Sequence, residues 1–466
     1  MRGKEKLFLK VIPFPRHYIF VFLLRRMIYN VKDFGACPNG RICTGEIQSA
    51  IDACFLAGGG EVVIPEGDFF TGGLRLRSNV TLHLLENAHL IGSINPEDYC
   101  VYLDDKIEPI PHSALDTVTP TALPDCKKRS AMPYSRWNNA IIRVLYAENV
   151  AIIGERGSLI DGRNCFDELG EEKYRGPHAI NIWFARGVTL RGYTVKDSAN
   201  WAHAIQNSRD IACRSITVLG GHDGIDLRTC DNILIENCSI MTGDDCVAGF
   251  DNLNVTVRNC TLESACSLFR FGGRHVLVEN CTGRAATQYG FRGNLSPEEK
   301  RARADTHKGC RHNCLTVYLS YSDNRAVIRE RSGDTLFRNC EFHNPDTILN
   351  IPYGHVWCCN GSLNDVTFEN CDFYGVINPS NLNGCPEEPI ALSFKSCKIA
   401  AREGYESIAL IEGESAKSIS FDNVSFENFK SPEIKCNPDC AVSVKDCREV
   451  TVTRVSETEN KSRFFL

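Results

Sequence analysis

The chain has 466 residues, 43% of them hydrophobic and 24% charged, with a formal net charge of −6. It can bury a large core, but it offers neither nucleic acid nor an anionic membrane any global attraction, so neither partner is expected and an acidic ligand must meet a local basic cluster. Cysteine is the unusual component: 24 residues, read mostly as small buried apolar side chains in a reducing compartment, since a chain this long folds without disulfides.

Taken in chain order, the opening MRGKEKLFLKVIPFPRHYIFVFLLRR holds one apolar run, YIFVFLL, which is too short to span a bilayer. Arg25 and Arg26 follow it in place of a small-residue cleavage site. Residues 1–27 are therefore expected to be an extension outside the fold, and 28–466 one catalytic domain in the cytoplasm. Secretion is the alternative if residues 1–26 act as a signal. The stretch TGEIQSAIDACFLAGGG (44–60) spaces Ile47, Ala50, Ile51 and Cys54 as one face of a helix and stops at three glycines.

From there one phrase returns: NVTLHLL (79–85), NVAIIGE (149–155), GVTLRGY (187–193), DIACRSI (210–216), NILIENC (232–238), NVTVRNC (254–260), HVLVENC (275–281), DTLFRNC (334–340), DVTFENC (365–371), ALSFKSC (391–397) and SISFDNV (418–424). Its central spacings are 23, 22, 22 and 21 residues, a period that predicts a β-solenoid with one strong strand per repeat. In a parallel β-helix, equivalent side chains stack in ladders about 4.8 Å apart, with Asn at the corner and the following Cys turned inward. The helix at 44–57 would cap the open first coil. Breaks in the period near 100–140, 290–315 and 341–364 read as loops leaving the coil.

With the period as a ruler, HDGIDL (222–227), DDCVAG (244–249) and ACSLFR (265–270) fall on one strand of three successive coils. Asp223 then lies under Asp245, His222 under Asp244, and Cys266 or Ser267 one coil further. Three carboxylates so close raise the pKa of at least one of them, leaving a protonated acid beside ionised bases. Gly243 is expected to permit a bend that turns both members of the Asp244–Asp245 pair to the cleft.

These segments resemble the polygalacturonase family, the pectin-degrading, glycoside hydrolase family 28-like enzymes built as right-handed parallel β-helices. The likeness runs from YNVKDFGA (29–36) and GGGEVVIPEGDFFTGGLRLRSNVTLHL (58–84) through GSLIDGRN (157–164) and SANWAHAI (198–205) to HDGIDL and GDDCVAG, most of residues 28–295. It implies an all-β fold and hydrolysis of pectic oligo- or polysaccharides with inversion. By the same resemblance Asp244 is the general acid, while Asp223 and Asp245 hold and deprotonate the attacking water. No cofactor is implied. The family's Gly-His-Gly is missing from the coil at 265–270, and YGFRGN (289–294) keeps Arg292 but has Asn294 where the family has a lysine that grips the galacturonate carboxylate. Arg270, on the adjacent coil, is a candidate replacement cation, and His222 a further candidate contact to substrate; His203 is read as structural.

Two rival classes stay open: a polysaccharide lyase or epimerase acting on uronates, and a carbohydrate-binding solenoid without activity. His307, Cys310, His312 and Cys314 place four possible ligands in eight residues, but their spacing fits no common zinc finger, and no metal site is expected. The same loop offers Arg301, Arg303, Lys308 and Arg311 to an anionic substrate.

Overall fold

The computed structural model describes residues 6–11, 21–102, 109–111, 136–285, 288–304, 314–321, 329–352 and 363–455. From Ile28 onward the chain winds as a right-handed parallel β-helix, the predicted solenoid. One sheet of 12 strands forms one face; a sheet of 25 strands forms the other two, joined where the long strands Val247–Arg258 and Ser267–Glu279 bend from one face to the next. Lys6–Val11 and Val21–Arg26 pair antiparallel with each other and join neither large sheet. No helix among the described residues is long and apolar enough to cross a membrane.

Helix α1 (Thr44–Leu56) closes the first coil. It buries Ile47, Ala50, Ile51 and Cys54, and the glycines after it, Gly58, Gly59 and Gly60, take positive φ. Gln48 on the same face explains how the cap satisfies an otherwise open strand. Its side-chain amide donates to the Arg75 carbonyl at 3.0 Å and accepts from the Arg75 N–H at 2.8 Å, standing in for a neighbouring strand.

The repeated phrase sets the register. Val188, Ile211, Ile233, Val255 and Val276 are successive partners and all buried. Two residues further along each strand a second inward file, through Val257 and Val278, becomes aromatic toward the C-terminus: Phe337, Phe368, Phe394 and Phe421 follow one another at centroid spacings of 4.9, 5.1 and 5.2 Å. Each buried ring contributes roughly 1.5–3 kcal/mol from burial alone. At the corner, Asn259, Asn280, Asn339 and Asn370 all adopt positive φ, which Asn tolerates. Their side chains bond coil to coil at 3.3, 3.3 and 3.2 Å. The cysteines that follow, Cys260, Cys281, Cys340 and Cys371, turn inward and are buried.

The predicted break at 341–364 is only partly a loop. Glu341–His343 and Pro345–Pro352 continue the ladders, pairing with strands on the coils before and after, because Phe342 and Leu349 supply inward side chains at the required positions. Residues 353–362 lie outside the described residues. In the break near 100–140, Cys100–Tyr102 and Pro109–Pro111 form a separate antiparallel pair; in that near 290–315, Pro297–Arg301 forms a short helix, α2, with a capping box from Ser296 and Glu299.

Candidate active site

Asp223 sits in the bend between the strands Thr217–Gly220 and Ile225–Arg228; Asp244 and Asp245 occupy the equivalent bend between Ser239–Thr242 and Val247–Arg258. The pairs Ile225 with Val247 and Val247 with Phe269 bring Asp223, Asp245 and Ser267 into line, so Ser267 rather than Cys266 follows the aspartates. Each carboxylate is tied to the next coil by backbone: the Asp245 N–H donates to Asp223 Oδ1 at 3.2 Å, and the Ser267 N–H to Asp245 Oδ1 at 3.1 Å. The hydroxyls of Thr242 and Ser264 donate to the Asp244 carbonyl at 2.9 and 2.6 Å, fixing the bend. Because the pair lies between strands, pleat alternation does not act on it. Carboxylate oxygens of all three aspartates lie within 4.8 Å of one another.

Gly243 has a different reason from the one its position in the sequence suggests. Its φ is not positive. A Cβ there would overlap the Gly290 carbonyl, so this glycine lets the segment 288–292 pack against the bend.

Exposure divides the three acids. Asp223 and Asp245 are 3% and 2% exposed, whereas the Asp244 side chain is 18% exposed. Burial, then the charges of Asp244 and Asp245, hold the Asp223 carboxyl well above the usual range. Burial and Asp244 push Asp245 up to about 7. Burial also raises Asp244, opposed first by Arg175 and then by Arg270. The cluster therefore retains protons at neutral pH, as an acid catalyst requires.

Of the cations expected from sequence, Arg270 reaches the cluster: its Nη1 is 3.6 Å from Asp245 Oδ2, and its guanidinium lies 4.3 Å from the Tyr321 ring centroid. Arg292 does not. It is 2% exposed and donates from Nη1 to the Ala304 carbonyl at 3.1 Å, supporting the segment after α2. His222 is buried and stacked on Tyr174 at 5.9 Å; neither ring nitrogen meets a hydrogen-bonding partner, and burial followed by the charges of Arg175 and Arg292 keeps it neutral. His203 is structural, its Nε2 paired with the Tyr193 hydroxyl at 3.1 Å and its Nδ1 with the Gly224 carbonyl at 3.2 Å. His307, Cys310 and His312 lie outside the described residues, and Cys314 is buried at the start of the strand Cys314–Ser320.

The structure adds Arg175, whose Nη2 lies 3.7 Å from Asp244 Oδ2, and the buried pair Asp226–Arg228, joined at 2.8 and 3.2 Å. Arg175 comes from the irregular segment between the strands Leu159–Asp161 and His178–Trp183. No repeat register reaches that segment, so only the three-dimensional structure reveals the contact. Asp226 and Arg228, by contrast, were legible as outward positions of the strand after Asp223.

The family model described as Glycosyl hydrolases family 28 matches residues 123–267, a span that contains Asp223, Asp244, Asp245 and Ser267. Over that span the chain is similar to the family 28 glycosyl hydrolases. A probable polygalacturonase of Vitis vinifera is 28% identical over 242 residues, covering 48% of this chain and 45% of that protein. A mannuronan C5-epimerase of Azotobacter vinelandii is 44% identical, but over only 68 residues, 14% of this chain and 7% of that protein. The matched region thus spans less than half the length of either relative. Among solved structures, a hyperthermoactive exopolygalacturonase from Thermotoga maritima aligns with a TM-score of 0.59 at 18% identity, covering 86% of this chain and 91% of that one. At that identity the likeness shows a shared fold over most of the chain and nothing of its role.

Proposed function

We propose that the protein is a glycosidase that hydrolyses bonds in pectin-derived, galacturonate- or rhamnogalacturonan-type saccharides, by an inverting mechanism carried by Asp223, Asp244 and Asp245. The observation that carries this reading is the arrangement of the three carboxylates: all within 4.8 Å, two buried and tied to backbone N–H groups, one reaching solvent. Asp244, the accessible member, donates its proton to the glycosidic oxygen as the bond to the anomeric carbon breaks. Asp223 and Asp245 hold a water on the opposite face of the sugar, and the ionised member of that pair takes its proton as it attacks.

Carboxyl groups about 5 Å apart suit, by separation alone, a retaining enzyme. Inversion is favoured here because Asp223 and Asp245 are buried and pinned, so a water between them can reach the sugar where a carboxylate oxygen cannot. The two buried acids also act as one unit in the same register, which suits joint activation of a single water. The cysteine-rich core supports a reducing, cytoplasmic setting, in which the substrates would be short imported saccharides.

The short stretch shared with a mannuronan C5-epimerase motivates a second reading, elimination or epimerisation on a uronate. Such chemistry commonly uses a cation to neutralise the uronate carboxylate. Arg175 and Arg270 already stand against the aspartates and oppose a cation there. The test is a screen of purified protein against homogalacturonan, rhamnogalacturonan and neutral aryl-glycosides, with and without EDTA and with products read by mass. Saturated products from a pectic substrate, formed equally in EDTA, are expected; activity confined to neutral glycosides would overturn the substrate assignment.

A further inference from the structure

We propose that the stacked rings of Tyr146 and Phe184 form a second saccharide-binding site, remote from the aspartates, which holds pyranose faces of a pectic chain away from the bond being cut. This rests on the reading of the ligand as a saccharide, and not on the chemistry at Asp244. The two residues take the same corner of neighbouring coils: Leu145 pairs with Trp183, and the Tyr146 N–H donates to the Trp183 carbonyl at 3.0 Å. Their rings stack with centroids 5.0 Å apart and planes 9° from parallel. Yet Tyr146 is 52% and Phe184 39% exposed. Both hold φ at +49°, a conformation that costs a bulky side chain more than it costs Asn or Asp.

The corner itself demands that backbone, since Asn207, Thr229 and Asp251 follow at the same position with φ of 47°, 55° and 54°. It does not demand a ring. Asparagine serves one coil after Phe184, so the fold gains little from two aromatic side chains that are strained and largely in water, a combination that marks ligand clamps. Half-exposed, the rings offer about 100 Å² each, far below the ~800 Å² that a stable protein interface covers on one partner. A sugar needs no more: its C–H face packs on an aromatic ring while its hydroxyls take polar neighbours. Such neighbours flank the stack, Ser78 on the coil before Tyr146 and Asn207 on the coil after Phe184. Asp223 precedes the strand Ile225–Arg228 whereas this corner follows it. With two coils more to Phe184, the rings lie roughly 20 Å from the aspartates. A long chain spans both sites, and a trisaccharide is too short to do so.

The experiment compares wild type with the double variant Tyr146→Asn/Phe184→Asn, which keeps at both positions a residue suited to the corner. Affinity for polygalacturonate, read by retardation in gels containing the polymer, is expected to fall at least about tenfold in the variant. Turnover of trigalacturonate should stay within about twofold, and the denaturation midpoint should be equal or higher. Wild type that is not retarded, equal retardation of the two proteins, a parallel loss of trigalacturonate turnover, or a variant of lower midpoint overturns the site. Sedimentation of both proteins covers the other occupant: a dimer lost in the variant would assign the rings to a second copy of the chain and overturn the saccharide. If wild type is retarded but leaves trigalacturonate intact, the hydrolase reading fails by itself, and the difference in retardation still decides the site.

Discussion

Asp244→Asn is expected to lower kcat on a pectic oligosaccharide by about 10²–10⁴-fold while leaving KM nearly unchanged. Asparagine keeps the shape of the side chain, and the bend itself is held through the Asp244 carbonyl by Thr242 and Ser264, so the fold is retained. What disappears is the proton delivered to the leaving oxygen. The defect should therefore shrink on substrates with a good leaving group, such as an aryl galacturonide, whose departing oxygen needs little protonation. Steady-state kinetics on both substrates check this. Equal losses on the two would mean that Asp244 acts on something other than the leaving group, and undiminished turnover on the oligosaccharide would remove it from the catalytic assignment.

Asp245→Asn separates stability from activity in opposite directions. The folded state holds the Asp245 proton up to a pH of about 7, whereas an unfolded aspartate releases it near 4. A folded pKa raised in this way contributes stability that is fully present below the unfolded value and is lost as pH rises through the folded one. Wild type therefore carries a penalty at pH 8 that the never-ionised asparagine does not. The variant, which keeps an Oδ1 to accept the Ser267 N–H, is expected to be about 2–4 kcal/mol more stable at pH 8 and to converge with wild type near pH 4. Its turnover should fall by about 10²–10⁴-fold, since the water loses one of its two bases. Denaturant titrations at the two pH values, with rates on the same samples, test both halves; a variant less stable than wild type at pH 8 would contradict the burial account.

The solenoid was legible because a strand phrase recurring every 21 to 23 residues leaves few other architectures, and the same ruler placed Asp223 under Asp245 without coordinates. The stacking of Asn and Cys followed from the same geometry. Three features were not legible, each for a physical reason. Gly243 is required by the segment at Gly290, a contact between parts of the chain that no period connects. Arg292 is buried and bonded to the Ala304 carbonyl, a contact made by the α2 segment folding back, which no repeat spacing signals. Arg175 enters from a segment off the repeat, so register says nothing of its proximity to Asp244. The core of the site thus came from the repeat, and its charged surroundings came from the irregular segments.

Addition of water across a glycosidic bond by the aspartate cluster is read by digesting a galacturonate oligosaccharide with the wild-type protein in water enriched in heavy oxygen and weighing the products. Hydrolysis predicts one heavy oxygen atom at each new reducing end and no unsaturated sugar. Products lighter by one water, absorbing as unsaturated uronates and free of the label, would establish elimination in place of hydrolysis.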